Sequence, residues 1–256
     1  MFFNKLKSSS SVLLSLILGF IPLSPIFAAS PATFQTFLDW CSAKKTLAPA
    51  TQNTIDQILS NIGTQDCQQA NDELAMTFSL NLNNQNITDL APLASLPNLI
   101  QLNLYNNQIK DLTPLSSLKN LNQLILGSNQ ISDLKPLSNL QKLSGLFLSS
   151  NQISDLTPLS SVTSLTELYL THNQISNLAP LSSLTNLTQL SLNSNNISDL
   201  AALIPLKNIT TLSLVNNQIR NVAPLYKLPK LSKVYLRRNP VADKFCPNSS
   251  DALCFL

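Results

Sequence analysis

The sequence contains few of the residues on which most enzyme chemistry depends. It has one histidine, His172, only four glycines, and charged side chains at 11% of its positions. No phosphate-binding loop, nucleophile motif or cluster of metal-ligating residues occurs in it. His172 has no catalytic partner at a recognisable spacing, and we interpret it as an exposed residue at a variable turn position. These absences predict a protein that is not an enzyme and that uses no cofactor or metal.

An excess of charge of either sign is also lacking. The chain has 16 Lys and Arg residues against 13 Asp and Glu residues, and Lys5 and Lys7 lie in a segment that we expect to be removed. Without those two, fourteen basic residues face thirteen acidic ones, a net charge of +1. This balance argues against bulk attraction to nucleic acid or to a membrane surface. The basic residues that predominate after Arg220 are interpreted as a solvated basic end.

Residues 1–28 have the pattern of a secretory signal peptide. Lys5 and Lys7 precede the apolar run from Ser11 to Phe27, and small residues follow from Ala28. The run is short for a membrane span, which needs about 20 apolar residues, and prolines interrupt it. No second apolar segment follows, so we expect an exported protein, periplasmic or extracellular, with no transmembrane anchor after cleavage.

The four cysteines form two pairs, Cys41 with Cys67 and Cys246 with Cys254, which lie towards the two ends of the chain. In an exported protein this spacing favours two local disulfides. The other connectivities would join opposite ends of the molecule. A zinc site is the weaker alternative, because no histidine lies near any cysteine.

The sequence between the two cysteine pairs has a strict 22-residue repeat. The unit LxxLxLxxNxIxDLxPLxxL is clearest from Leu99 to Leu118, and its Leu102 and Leu104 alternate with polar residues as in a strand buried on one face. One asparagine recurs in a single phase, at Asn107, Asn129, Asn151, Asn173, Asn195, Asn217 and Asn239, with Gln85 at the first place. We expect its amide to satisfy backbone groups inside the turn that follows each strand.

This repeat resembles the leucine-rich repeat of bacterial internalins, over about residues 78–243. The resemblance implies an α/β repeat solenoid in which eight parallel strands form a curved, concave β-sheet and short 3-10 or irregular segments form the convex side. The Asp two residues after the Ile of each repeat is interpreted as the N-cap of a short helix, since Asn replaces it at Asn177 and Asn221. A column of calcium-binding carboxylates is the alternative for this position.

Both ends of such a solenoid need caps that cover the exposed core. Residues 29–77 lose the repeat, and apolar residues at helical spacing predict a helical cap with Trp40 in its core. A second cap helix is expected from about Thr54 to Asn61, with Gly63 as its stop, and a third after Thr64. Residues 244–256 are predicted to form the carboxy-terminal cap.

The repeats differ from one another mainly where strand side chains point to the concave surface. Ile125, Phe147 and Tyr169 are consecutive in one column, and Gly127 and Gly145 border them, which predicts an apolar hollow. The candidate partner-binding residues are Tyr105, Ile125, Phe147, Glu167, Tyr169, Tyr235 and Arg237. A simpler interpretation is that these aromatics only stabilise the sheet through cross-strand pairs.

The sequence therefore predicts an exported, monomeric binding module that recognises a protein or peptide on its concave face. Two alternatives are recognition of an envelope polysaccharide by the concave aromatic residues and a purely structural surface role. We do not infer the host-cell adhesion role of internalins for this protein, because no surface-attachment motif follows the repeats.

Overall fold

The computed structural model describes residues 34–241 and, for the backbone alone, residues 253–255. The amino-terminal cap contains three helices, α1 (Phe37–Ala43), α2 (Pro49–Ile62) and α3 (Cys67–Ala75), and a 3-10 turn at Lys44–Thr46. A disulfide joins Cys41 of α1 to Cys67 at the start of α3, as predicted. The predicted signal peptide lies outside the described residues, and so does Cys246, so the predicted bond between Cys246 and Cys254 stays a prediction.

Local signals set the ends of the cap helices. At the start of α1 the Asp39 N–H donates to Thr36 Oγ1 (3.2 Å) and the Thr36 N–H donates to the Asp39 carboxylate (2.8 Å), a capping box. Helix α2 begins at Pro49, five residues before the predicted start near Thr54, because proline needs no N–H partner in the first turn. It ends at Gly63, whose φ of +84° is left-handed, as the sequence indicates.

The repeats form one parallel sheet whose strands follow one another in chain order. Its first eight strands are β1 (Ser79–Asn81), β2 (Gln101–Asn103), β3 (Gln123–Ile125), β4 (Gly145–Phe147), β5 (Glu167–Tyr169), β6 (Gln189–Ser191), β7 (Thr211–Ser213) and β8 (Lys233–Tyr235). The register places equivalent residues of successive repeats opposite each other, so that Leu102 faces Leu124. The predicted eight strands and their solenoid are confirmed.

Short 3-10 helices return the chain on the other side of each coil. They span Ala91–Ser95, Thr113–Ser117, Lys135–Leu137, Thr157–Ser161, Ala179–Ser183, Ala201–Leu203 and Ala223–Lys227. The leucines and isoleucines of each unit point between sheet and helices; Leu102, Ile109 and Leu115 are at most 1% exposed. At the amino-terminal end the predicted core residue Trp40 is 4% exposed and belongs to the same continuous core.

The repeated asparagine connects adjacent coils. Asn151 Nδ2 donates to the carbonyls of Leu126, in the preceding repeat, and Leu148, both at 3.0 Å, and the N–H of Ile131 donates to its Oδ1 at 3.0 Å. The same pattern recurs at the other members, from Asn107 to Asn239. Because these side chains are buried or nearly so, the asparagines supply hydrogen-bond partners to backbone groups that water cannot reach.

The repeated Asp does act as a cap, but not from the N-cap position. The N–H of Thr113 donates to Asp111 Oδ1 at 2.8 Å, whereas the N-cap residue itself is Leu112. Asn177 makes the equivalent bond, at 2.9 Å to the N–H of Ala179, so the neutral amide serves as well as the carboxylate. The side-chain oxygen thus satisfies the first N–H of each 3-10 helix from two residues upstream.

The residue before each ladder asparagine has a left-handed backbone. Its φ lies between 52° and 60° at Asn106, Ser128, Ser150, His172, Ser194, Asn216 and Arg238. His172 is exposed there, which confirms its interpretation as a turn residue. The conformation explains why no β-branched residue occurs at this position, since such side chains are strained at positive φ.

A ninth strand, β9 (Leu253–Phe255), pairs in parallel with β8 and places Leu253 opposite Lys233. Leu253 lies 20 residues after its partner Lys233, whereas Lys233 lies 22 residues after its own partner on β7, Thr211. The sequence does not predict this strand, because the segment is out of phase with the repeats. Residues 253–255 thus continue the sheet by one strand.

Candidate functional site

Three columns of side chains run along the concave face of the sheet. The middle column holds Asn81, Asn103, Ile125, Phe147, Tyr169, Ser191, Ser213 and Tyr235, which the strand register aligns. Ile125, Phe147 and Tyr169 occupy adjacent strands there and are each half-buried. The structure thus brings these three candidate residues together. Tyr105 lies near them in the third column and is 44% exposed.

The rings of Phe147 and Tyr169 stack on each other. Their centroids are 4.8 Å apart and their planes differ by 10°. This distance equals the spacing of adjacent strands, so the stack lies along the solenoid axis. Each ring therefore has one of its two faces covered by the other ring.

The two glycines do not leave an open hollow, contrary to the expectation. A Cβ on Gly145 would lie 3.3 Å from Cε2 of Phe147, and one on Gly127 would lie 3.1 Å from Cδ2 of Tyr105. Aromatic rings already occupy this space, because glycine lets a ring lie down on the sheet. The rings therefore fill the space that the expected hollow would have occupied.

Glu167 stands beside the stacked rings in the first column. The register places it between Gly145 and Gln189. The Phe147 ring leans towards Gly145, and the Tyr169 hydroxyl donates to Gln189 Oε1 at 2.8 Å. Both rings therefore tilt towards the column that carries the Glu167 side chain.

The pKa of Tyr169 also reflects the proximity of Glu167. Burial raises the pKa of the Tyr169 hydroxyl, and the negative charge of Glu167 raises this pKa further. Gln189 Nε2 donates to Glu167 Oε1 at 3.5 Å, a long hydrogen bond. In the described part of the chain the ion pair is Lys44 with Asp56, so no described lysine or arginine lies within 4 Å of the Glu167 carboxylate.

The remaining candidate residues, Tyr235 and Arg237, lie at the far end of the face, on and just after β8. Tyr235 is half-buried, whereas Lys233 and Arg237 on either side of it are exposed. The face therefore does not form one continuous candidate site. Small polar residues of β6 and β7 separate its aromatic part from its basic part.

The sequence interpretation missed one exposed apolar group, at the edge of the sheet near the cap. Met76 is 76% exposed, Phe78 54% and Ile100 41%. These residues precede the strands β1 and β2, outside the columns that the repeat pattern selects. For Phe78 and Ile100 the signal in the sequence was an apolar residue at a position where later repeats carry Asn, Ser or Thr, as at Asn122 and Thr166.

Within residues 34–241 no three His, Cys, Asp or Glu side chains come together to hold a metal ion. None of the helices in this described part has the length and apolar character needed to cross a membrane.

Comparisons with known proteins agree with this geometry. The family described as leucine rich repeats, in two copies, matches residues 78–117, 119–161, 163–205 and 207–248. The chain belongs to the leucine-rich repeat family. A comparison with curated protein sequences gave no match.

Solved structures define the type of repeat. Internalin C2 of Listeria monocytogenes is 35% identical with a TM-score of 0.72, over 81% of this chain and 91% of that one. Internalin F of the same species is 29% identical with a TM-score of 0.70, over 77% of this chain and 60% of that one. A plant receptor kinase ectodomain, GASSHO1/SCHENGEN3 of Arabidopsis thaliana in complex with Casparian strip integrity factor 2, is 25% identical with a TM-score of 0.54, over 59% of this chain and 20% of that one. The repeat of the present chain is of the internalin-like class.

Proposed function

We propose that this protein is an exported, non-catalytic binding module whose concave face holds a segment of a protein or peptide. The observation that carries the proposal is the stack of Phe147 on Tyr169 beside Ile125, half-buried on a face whose other side chains are mostly polar. Clustered aromatic side chains are common anchors of protein interfaces. The fold supports a protein-interaction role in general, and the plant ectodomain that shares it was solved in complex with Casparian strip integrity factor 2.

Export rests on the signal-peptide pattern of residues 1–28 and on the Cys41–Cys67 disulfide, because such bonds persist in oxidising compartments. Periplasmic retention and release from the cell are both compatible with these features. Expression of the full chain with a carboxy-terminal tag, followed by fractionation and mass measurement, tests this part. An uncleaved protein in the cytoplasm contradicts it.

The stacked geometry favours a polypeptide over a polysaccharide. Sugar rings usually pack on the faces of aromatic rings, and the stack reduces the area that Phe147 and Tyr169 offer to a sugar because it covers one face of each ring. Ring edges and the neighbouring amides of Gln123 and Gln189 suit the irregular mixture of apolar and polar groups on a peptide.

The experiment is affinity capture by the purified mature protein, with partners identified by mass spectrometry. The Phe147→Ser/Tyr169→Ser double variant is expected to bind a captured partner about tenfold more weakly or worse, since interface aromatics are typical hot spots. Tyr226→Ser, in the convex 3-10 helix Ala223–Lys227, is the matched control and should retain binding. Thermal unfolding of each variant checks that the fold survives.

Unchanged affinity of the folded double variant rules out this surface. If no protein partner is captured, and the wild-type protein binds a glycan array whereas the double variant does not, polysaccharide recognition replaces the proposal. Failure of both assays, with self-assembly at high concentration, indicates a structural role.

A further inference from the structure

The concave face is electrically polarised along the solenoid axis. Among its three columns Glu167 is the sole carboxylate, and Lys233 and Arg237 are the only cations. The carboxylate lies on β5 and the cations lie on or just after β8. The two charged parts therefore stand at fixed and separate positions on one rigid sheet.

The carboxylate of Glu167 is placed to receive a cation. It is half-buried beside Tyr169 and accepts one long hydrogen bond from Gln189 Nε2, and no described lysine or arginine lies within 4 Å of it. A partly desolvated carboxylate gains more from an ionic partner than a fully hydrated one. The adjacent rings also favour the apolar stem and the planar head of arginine.

The surface between the charged parts is low and neutral. Strands β6 and β7 present Ser191 and Ser213 in the middle column and Gln189 and Thr211 in the first. Their hydroxyl and amide groups bond partly among themselves, as in the 2.6 Å bond from Ser213 Oγ to Asn193 Oδ1. In the middle column the small side chains of Ser191 and Ser213 leave room for a backbone to cross from β5 to β8.

The distance between the charged parts sets the spacing of charges on a partner. Three strand intervals separate β5 from β8, which at about 4.8 Å each amounts to about 14 Å. An extended peptide advances about 3.4 Å per residue, so four residues cover this length.

We infer that the partner is an extended peptide segment that places an arginine or lysine on Glu167 and an acidic group, about four residues away, between Lys233 and Arg237. This inference rests on the proposed concave binding function and adds the charge, spacing and orientation of the ligand. The chain of such a segment runs along the solenoid axis, across the strands. Its apolar neighbours contact the Phe147–Tyr169 stack.

The experiment is selection from a phage-displayed library of random dodecapeptides on the purified mature protein. We expect enrichment of peptides that carry a basic and an acidic residue four positions apart, in one constant order. Synthetic versions should lose about tenfold in affinity when their two charges are exchanged, because two favourable contacts become repulsive.

A charge-reversed protein makes the test specific. The triple variant Glu167→Lys/Lys233→Glu/Arg237→Glu should enrich peptides with the opposite order of charges. It changes the net charge by −2, so Lys119→Glu, an exposed residue outside the three concave columns with the same net change, is the matched control and should select wild-type-like peptides. Thermal unfolding confirms that each variant is folded.

The outcomes separate the two proposals. The proposal of a charged peptide ligand is overturned if the selected peptides show no charge pair. It is also overturned if the reversed variant selects the same order of charges as the wild type. The proposed binding function of the concave face still stands if those peptides depend on Phe147 and Tyr169. Selection of no peptide that depends on these two residues overturns both.

Discussion

Replacing Asn151 by alanine tests the internal hydrogen-bond ladder. The carbonyl of Leu126 accepts from both Asn129 and Asn151, and that of Leu148 accepts from both Asn151 and Asn173. Each carbonyl therefore keeps one partner when Asn151 is truncated. The N–H of Ile131 donates to Asn151 Oδ1 alone, so it becomes a buried donor without an acceptor.

The expected cost follows from this single orphan. An unsatisfied buried donor costs about 1–3 kcal/mol, and weakening of the two shared carbonyls adds to it. We expect the free energy of unfolding to fall by about 2 kcal/mol, the middle of this range. The assay is urea unfolding followed by far-ultraviolet circular dichroism, with the slope of each transition compared to detect any loss of cooperativity.

Asn186→Ala is the matched control. Asn186 is exposed, and its Nδ2 likewise donates to the preceding repeat, to the carbonyl of Thr163 at 2.9 Å. Because water replaces that bond, the control should lose less than about 1 kcal/mol. Equal losses in Asn151→Ala and Asn186→Ala would refute the reasoning, since burial would then not decide the cost.

Three further predictions concern the sheet surface and the cap. Gly127→Ala places a Cβ 3.1 Å from the Tyr105 ring and 3.3 Å from a backbone oxygen that cannot move aside. We expect the free energy of unfolding, measured in urea, to fall by about 1–2 kcal/mol. An unchanged urea midpoint contradicts the close approach. The pKa of Tyr169 is raised above its ordinary 10.0, so its contribution to stability is full below pH 10.0 and falls as the pH rises through the pKa of the folded state. Tyr169→Phe should therefore reduce the loss of stability at alkaline pH, measured as the urea midpoint against pH. Identical pH profiles of the variant and the wild type argue against this. The Cys41→Ala/Cys67→Ala variant opens a crosslink between residues 26 apart, which should lower the free energy of unfolding by about 3 kcal/mol and is checked by the urea midpoint; no shift means that the crosslink adds no stability.

Much of the fold follows from local pattern. The 22-residue period predicts the strands, because every copy must bury its leucines against its neighbours and stack in register. The asparagine phase predicts the internal ladder, because an amide is the side chain that both donates to and accepts from the backbone. The start of α2 was harder to predict, because Ala48 and Pro49 carry no side-chain cap and the helix extends beyond its buried face.

The candidate site shows the limit of such reasoning. The columns could be read from the repeat, and Ile125, Phe147 and Tyr169 do lie side by side. The expected hollow was wrong, because the direction of a ring on a sheet depends on what its neighbours on adjacent strands leave free. Gly145 allows Phe147 to lie down, and Gln189 draws the Tyr169 hydroxyl towards the first column.

The sequence by itself determined the solenoid, its period, the buried ladder and the concave residues that vary. These features depend on spacing along the chain, which repeats impose on every copy alike. Only the tertiary structure decided how the varying side chains meet: the Phe147–Tyr169 stack, Glu167 beside it with no described lysine or arginine within 4 Å, and the out-of-phase strand β9. Those arrangements arise from contacts between coils, where one side chain's position is set by the size and hydrogen bonding of residues that the local pattern leaves free.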